Sequence, residues 1–182
     1  MPTPPLASDP APPLRLRPAT PADIDTLMHI DDEAALLFTE AGFHFSGPAL
    51  DAFMEAERAR WLAASEAGLA ELALDAHGEP IGFIVLAFVD GLPYLDQLSV
   101  VRSQMRRGIG RRLLTRAIDW AAARDALWLT TYAHVPWNGP MYARAGFVTV
   151  PEAQCSPGLC AILKEQRGAL PDPEQRIAMV RR

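Results

Sequence analysis

The chain has little cysteine, no surplus of positive charge and no long apolar run. Only two of its 182 residues are cysteine, Cys155 and Cys160. No Cys or His pairs stand at zinc-finger spacing, so no metal site is expected. Two reduced, partly buried thiols are expected instead, which fits a cytoplasmic protein. The net charge is -5 and the pI about 5.3. Nucleic-acid binding needs a basic surface, so nucleic acid is not expected as a partner. An acidic balance is compatible with a cationic substrate. No stretch approaches the roughly 20 apolar residues of a membrane span, so no membrane partner is expected. The start of the chain lacks the basic and apolar segments of a signal peptide.

Six prolines, Pro2, Pro4, Pro5, Pro10, Pro12 and Pro13, crowd the first thirteen positions. Such a stretch offers few amide donors and few apolar side chains, so residues 1–13 are expected to be a mobile tail. The rest, 14–182, is long enough for one domain with a proper core. Its substance is 49% hydrophobic and 21% charged residues over the whole chain, the profile of a soluble globular protein.

Periodicity outlines the elements. Residues 14–17 alternate apolar and basic, as a half-buried strand does. Thr20 or Asp23 can cap a helix running through Ile24, Leu27, Met28 and Ile30 to about Phe38. A second helix is expected over 49–67, with Leu50, Phe53, Met54, Ala56 and Trp61 on its apolar side. Strands follow at 69–75 and 80–89. The second of these is apolar on both faces, as in a sheet covered by helices on each side. A turn at Gly91-Leu92-Pro93 leads to a strand at 94–101. Ile109, Leu113, Leu114, Ala117, Ile118 and Ala121 recur at helical spacing. Further elements are a strand at 127–133, a helix at 138–145 stopped by Gly146, a strand at 147–150, a helix at 159–170 and a strand at 176–181. The order describes one α/β layer domain.

The chemistry concentrates in the turn after the fourth strand, Leu98-Ser99-Val100-Val101-Arg102-Ser103-Gln104-Met105-Arg106-Arg107-Gly108-Ile109-Gly110. A helix starts inside this turn. Its first amides lack intrahelical partners and carry partial positive charge, so an anion can bind there. Gly108 and Gly110 have no Cβ and allow backbone and diphosphate to approach closely. Arg106, Arg107, Arg111 and Arg112 add charge. A Rossmann fingerprint would need a glycine where Leu113 stands, and a Walker loop would need Gly-Lys-Ser/Thr, which is absent.

The pattern resembles that of the GNAT N-acetyltransferases, whose acetyl-CoA loop reads Gln/Arg-x-x-Gly-x-Gly/Ala after the fourth strand. Here Arg106-Arg107-Gly108-Ile109-Gly110 fits, with Met105 in the Gln/Arg place. Trp137-Asn138-Gly139-Pro140-Met141-Tyr142-Ala143-Arg144-Ala145-Gly146-Phe147 resembles the family's Asn-x-x-x-Tyr-x-x-x-Gly-Phe segment. Leu16-Arg17-Pro18-Ala19-Thr20-Pro21-Ala22-Asp23 resembles its opening strand and helix start. The resemblance spans about 14–150. It implies an α/β fold with a mixed, mostly antiparallel sheet of six to seven strands, helices on both faces, and a splay between strands four and five.

The resemblance also implies an activity and roles. The activity is direct transfer of an acetyl group from acetyl-CoA to a primary amine of a small molecule or peptide. The alternative is a catalytically silent, coenzyme A-binding sensor or interaction protein on the same fold. Tyr142 matches the family's general acid, beside the thioester sulfur. Asn138 matches an asparagine that contacts coenzyme A, or else is a helix cap. Asp96 stands on the strand where many members place a carboxylate that takes the amine proton. Leu98, Ser99 and Val100 would offer backbone groups to the thioester and the pantetheine arm. Arg106, Arg107, Gly108, Ile109, Gly110 and Arg111 would hold the pyrophosphate. His134 and Trp137 lie near the expected cleft, and Trp137 could line the acceptor pocket. Phe38, Phe43 and Phe45 flank a loop that covers the acceptor in the family. Asp31, Asp32, Glu33 and Glu40 make that region acidic, which suggests a cationic acceptor. The segment 170–181 could add an edge strand or a dimer contact.

Overall fold

The computed structural model describes residues 14–124 and 126–182. The expected tail, 1–13, lies outside the described residues. The elements run β1 (Arg15–Pro18), α1 (Ile24–Glu40), α2 (Pro48–Glu66), β2 (Ala70–Leu74), β3 (Pro80–Val89), β4 (Leu92–Val100), α3 (Ile109–Ala121), β5 (Leu127–Tyr132), α4 (Gly139–Arg144), β6 (Val148–Val150), α5 (Pro157–Ala169) and β7 (Arg176–Arg181). They form one seven-stranded sheet in the order β1-β2-β3-β4-β5-β7-β6. All neighbours are antiparallel except β4 and β5. No helix among the described residues is long and apolar enough to cross a membrane.

Each face of the sheet buries the stripe its pattern foretells. On one side α3 covers the sheet with Ile109, Leu113, Leu114, Ala117 and Ala121, the apolar positions that recur at helical spacing. On the other, α1 contributes Leu27 and Ile30, and α2 contributes Trp61, all at most 1% exposed. α5 seals the far end of this face, where Leu159 and Leu163 pack on Tyr94, Trp128, Ala178 and Val180.

Three expectations are corrected. The hairpin turn before β4 is Asp90-Gly91, with φ of 51° and 78°, and Leu92 and Pro93 already belong to the strand. An Asp-Gly pair with both φ positive is the preferred two-residue hairpin connection, because its twist matches that of the strands. β3 is buried on both faces only from Ile81 to Leu86, and Phe88 is 44% exposed. There Phe88 lies against Trp120 at 5.2 Å between ring centroids. The C-terminal strand β7 is not an edge strand. It inserts between β5 and β6, pairing with all six residues of β5 on one side and with Val148, Thr149 and Val150 on the other. The edge there is the three-residue β6, with Val148 57% exposed.

Candidate active site at the strand splay

β4 and β5 share one backbone rung, Tyr94 opposite Trp128. Past it Tyr94 Oη and Thr130 Oγ1 meet side-chain to side-chain at 2.7 Å. The strands then diverge, and residues 96–100 of β4 turn an edge toward β5 that has no strand partner among the described residues. Unpaired backbone groups of this kind are free to bind an amide-bearing chain by strand-like pairing.

A bulge marks the same place. Val85 pairs with Gln97 and Leu86 with Leu95, so Asp96 is the extra residue on β4. Bulges re-aim side chains and increase local twist, and they recur beside active sites. Here the bulge sends Asp96 toward α2, where Trp61 Nε1 donates to its Oδ2 at 3.1 Å. Arg60 Nε lies 3.9 Å from the same oxygen. Burial pushes the Asp96 carboxyl above its ordinary value, against the pull of Arg60 and Trp61.

Beyond the bulge the strand alternates cleanly. Leu98 and Val100 face α3, within 3.9 Å of where a Cβ on Gly110 would stand. Gln97 and Ser99 face α1, where both donate to Asp31 Oδ1, at 2.5 and 2.6 Å. Ser99 therefore has a side-chain partner that a purely backbone role does not foresee. Asp31 is pushed up by burial and pulled down by these two donors.

The glycine-containing turn lies where β4 ends. Gly108 is the N-cap of α3, with φ of 79°, and Arg106 also has a positive φ, 62°. A non-glycine residue held there stores strain of the kind found at ligand sites. Arg106, Arg107 and Arg111 are exposed, and none makes an ion pair among the described residues. The first turn of α3 carries no acidic residue. Its free amides and the surrounding guanidiniums suit a diphosphate, and residues with no carboxylate to displace fit one better still.

The far wall comes from β5, α4 and β7. Asn138 occupies the N-cap position of α4 but makes no side-chain cap. Its Nδ2 donates instead to Thr131 Oγ1 of β5 at 3.0 Å. Gly139 follows because nothing larger fits: a Cβ would lie 2.7 Å from Ala133 O and 2.9 Å from Tyr132 O. α4 is thus clamped to the end of β5, and Tyr142 is carried with it. The Tyr142 ring packs on Phe147 at 5.8 Å, while its hydroxyl has no hydrogen-bond partner among the described residues. Burial pushes the phenol up to about 12, so it stays protonated through the physiological range.

Over the mouth, Phe38, Phe43 and Phe45 join Tyr132 and Trp137 in one aromatic cluster, with Phe38 5.5 Å from Trp137 and 5.6 Å from Phe43. His134 is exposed, stacked on Phe43 at 5.8 Å and 3.6 Å from Asp172. Of the acidic residues expected here, Asp31 meets β4 through Gln97 and Ser99, and Asp32 is exposed. Glu33 is 3.3 Å from His29 and Glu40 pairs with Arg102.

Two charged residues of the site escaped the sequence reading. Glu57 of α2 falls between Phe53 and Trp61 at four-residue spacing, a carboxylate on the buried stripe. Arg176 opens β7 on the face of Ala178 and Val180. It is 7% exposed, lies 4.6 Å from the Tyr132 ring centroid and donates to Gln166 Oε1 at 2.6 Å. A charged residue in phase with a buried stripe is the signal that was available for both.

The model of the acetyltransferase (GNAT) family matches residues 32–147. Among solved structures, the PaiA N-acetyltransferase of Thermoplasma acidophilum, in complex with coenzyme A, superposes with a TM-score of 0.67 at 17% identity, over 93% of this chain and 99% of that one. A GNAT-family acetyltransferase from Staphylococcus aureus Mu50 gives 0.67 at 14% identity, over 93% and 98%. The N-acetylglutamate synthase of Neisseria gonorrhoeae, complexed with coenzyme A and N-acetyl-glutamate, gives 0.63 at 20% identity. The match covers 95% of this chain and 36% of that longer one. At these identities the likeness is one of fold. With more than half its length matched by the family model, the chain belongs to the acetyltransferase (GNAT) family.

Proposed function

We propose that the protein is an acetyl-CoA-dependent N-acetyltransferase that moves the acetyl group directly to a primary amine of a small molecule or peptide. The observation that carries this reading is the opening of β4 from β5 beside the α3 turn. The pyrophosphate would rest on the amides near Gly108, Ile109, Gly110 and Arg111, with Arg106 and Arg107 alongside. The pantetheine arm would then run along Leu98, Ser99 and Val100, with Asn138 on the opposite wall. The thioester would end near Tyr142, whose protonated hydroxyl would deliver a proton to the leaving thiolate. One of the carboxylates near the splay would draw the proton from the incoming amine.

A cationic substrate is supported by the gathering of Asp31, Glu57 and Asp96 from three elements, with Asp31 bonded to Gln97 and Ser99 of the splayed strand and Asp96 on that strand. Free Cys155 and Cys160 agree with a reducing compartment, and the cytoplasm is the one proposed. The test is thiol release from acetyl-CoA over a panel of amines and acidic compounds. Release with amines, cationic ones foremost, is the expected result. Binding of acetyl-CoA with no release would move the protein to a sensor role, and a preference for acidic compounds would overturn the cationic acceptor.

A further inference from the structure

Glu57 stands apart from the other carboxylates of the cleft. Asp31 is held by Gln97 and Ser99, and Asp96 by Trp61. Glu57 Oε1 has only Arg60 Nη2, at 3.4 Å, and its second oxygen has no donor among the described residues. Its side chain is 12% exposed. A buried carboxylate with so little support carries a cost that an inert structural position would not retain.

The surroundings of Glu57 come from four elements. α1 brings the charge of Asp31 and β4 that of Asp96, and Arg60 Nε lies 3.9 Å from Asp96 Oδ2. α2 brings Arg60, which also reaches Glu165 of α5 at 3.5 Å. β7 brings Arg176. The Nε of Arg176, a residue 7% exposed, is buried with no acceptor among the described residues. Among the described residues, a carboxylate oxygen of Glu57 and the Nε of Arg176 are thus both left unsatisfied, and buried polar groups left so are ones a polar ligand can satisfy.

Resting on the acetyltransferase reading, we propose that Glu57 is the group that takes the proton from the acceptor's ammonium, while Asp31 and Asp96 hold and orient that cation. Glu57 carboxylate accepts one proton and leaves the neutral amine. The amine nitrogen bonds to the thioester carbonyl carbon, and the C–S bond breaks with its electron pair on sulfur. Tyr142 gives its proton to the thiolate and recovers one from the nitrogen. One proton in all leaves through Glu57. Burial, together with the charges of Asp31 and Asp96, pushes the Glu57 carboxyl well above its ordinary value. That is the direction a general base needs.

The experiment compares wild type, Glu57→Gln and Asp96→Asn across pH, with an amine taken from the active panel and coenzyme A affinity measured alongside. In wild type, kcat/KM should fall on the acid side with a midpoint above the usual carboxylate range of about 4.3. Glu57→Gln should lose about 100-fold or more in kcat at neutral pH. That loss should narrow as pH approaches the amine's own pKa, with coenzyme A affinity unchanged. Asp96→Asn should mainly raise the acceptor's KM. The stability sign serves as a check on folding. A carboxyl raised in the folded state stabilises below its unfolded pKa and loses that contribution as pH rises through the folded value. Glu57→Gln should therefore melt higher than wild type at neutral pH, and the difference should close toward pH 4. An unchanged pH profile, or a loss equal at every pH, would overturn the role of Glu57. A wild type that releases no thiol with any amine would instead overturn the acetyltransferase reading beneath it.

Discussion

Gly139→Ala tests how α4 places Tyr142. The added methyl would meet Ala133 O at 2.7 Å and Tyr132 O at 2.9 Å, both backbone atoms that cannot swing aside. Relieving the overlap needs a shift of about half an ångström in α4 or in the end of β5. Asn138 Nδ2 holds the junction to Thr131 from the neighbouring position, and Pro140 stiffens the other side, so the strain has little room to spread. Overpacking of this kind costs about 1–3 kcal/mol. For a chain of this length each kcal/mol lowers Tm by roughly 2–4 °C, so a fall of about 2–12 °C is expected. The same shift moves Tyr142 three residues on. Displacements approaching 1 Å near the chemistry cost up to about 100-fold, so kcat should fall about 10- to 100-fold. Differential scanning calorimetry and a thiol-release assay read the two effects on one preparation. An unchanged Tm would refute the clamp. A lowered Tm with unchanged kcat would refute the claim that the clamp positions Tyr142.

Tyr142→Phe keeps the ring against Phe147 and removes only the hydroxyl. A fall of about 10²- to 10⁴-fold in kcat is expected, with acetyl-CoA affinity preserved; unchanged turnover would remove the assignment. The double variant Arg106→Ala and Arg107→Ala removes two exposed charges worth about 0.2–1 kcal/mol each. The Kd for acetyl-CoA should rise about 2- to 30-fold at low salt and approach that of wild type at high salt. A change that ignored salt would refute an electrostatic role for these side chains.

Much of the geometry around the α3 turn and α4 was legible because it is local. The glycines of the α3 turn, the Asn138–Tyr142 spacing and the apolar stripe of α3 each occupy a short window, where backbone conformation and helix periodicity act directly. The arrangement around Asp31, Asp96 and Arg176 was less legible because it is assembled from distant segments. Asp96 gains its direction from a bulge, and the bulge depends on how β3 and β4 register rather than on residue type. Arg176 comes to lie over Tyr132 because β7 inserts between β5 and β6, and a strand pattern in one segment does not specify its neighbours. Ser99 gains its partner across 68 residues. The turn at Asp90-Gly91 was present in the sequence, but the nearby Pro93 drew the expected turn two residues too far.

The most direct measurement is the position of acetyl-CoA in a crystal of the complex. The account predicts the pyrophosphate on the amides of Gly108–Arg111, the pantetheine arm against residues 98–100 in the splay, and the thioester sulfur beside the Tyr142 hydroxyl. A pyrophosphate bound elsewhere, or a thioester outside the splay, would contradict it.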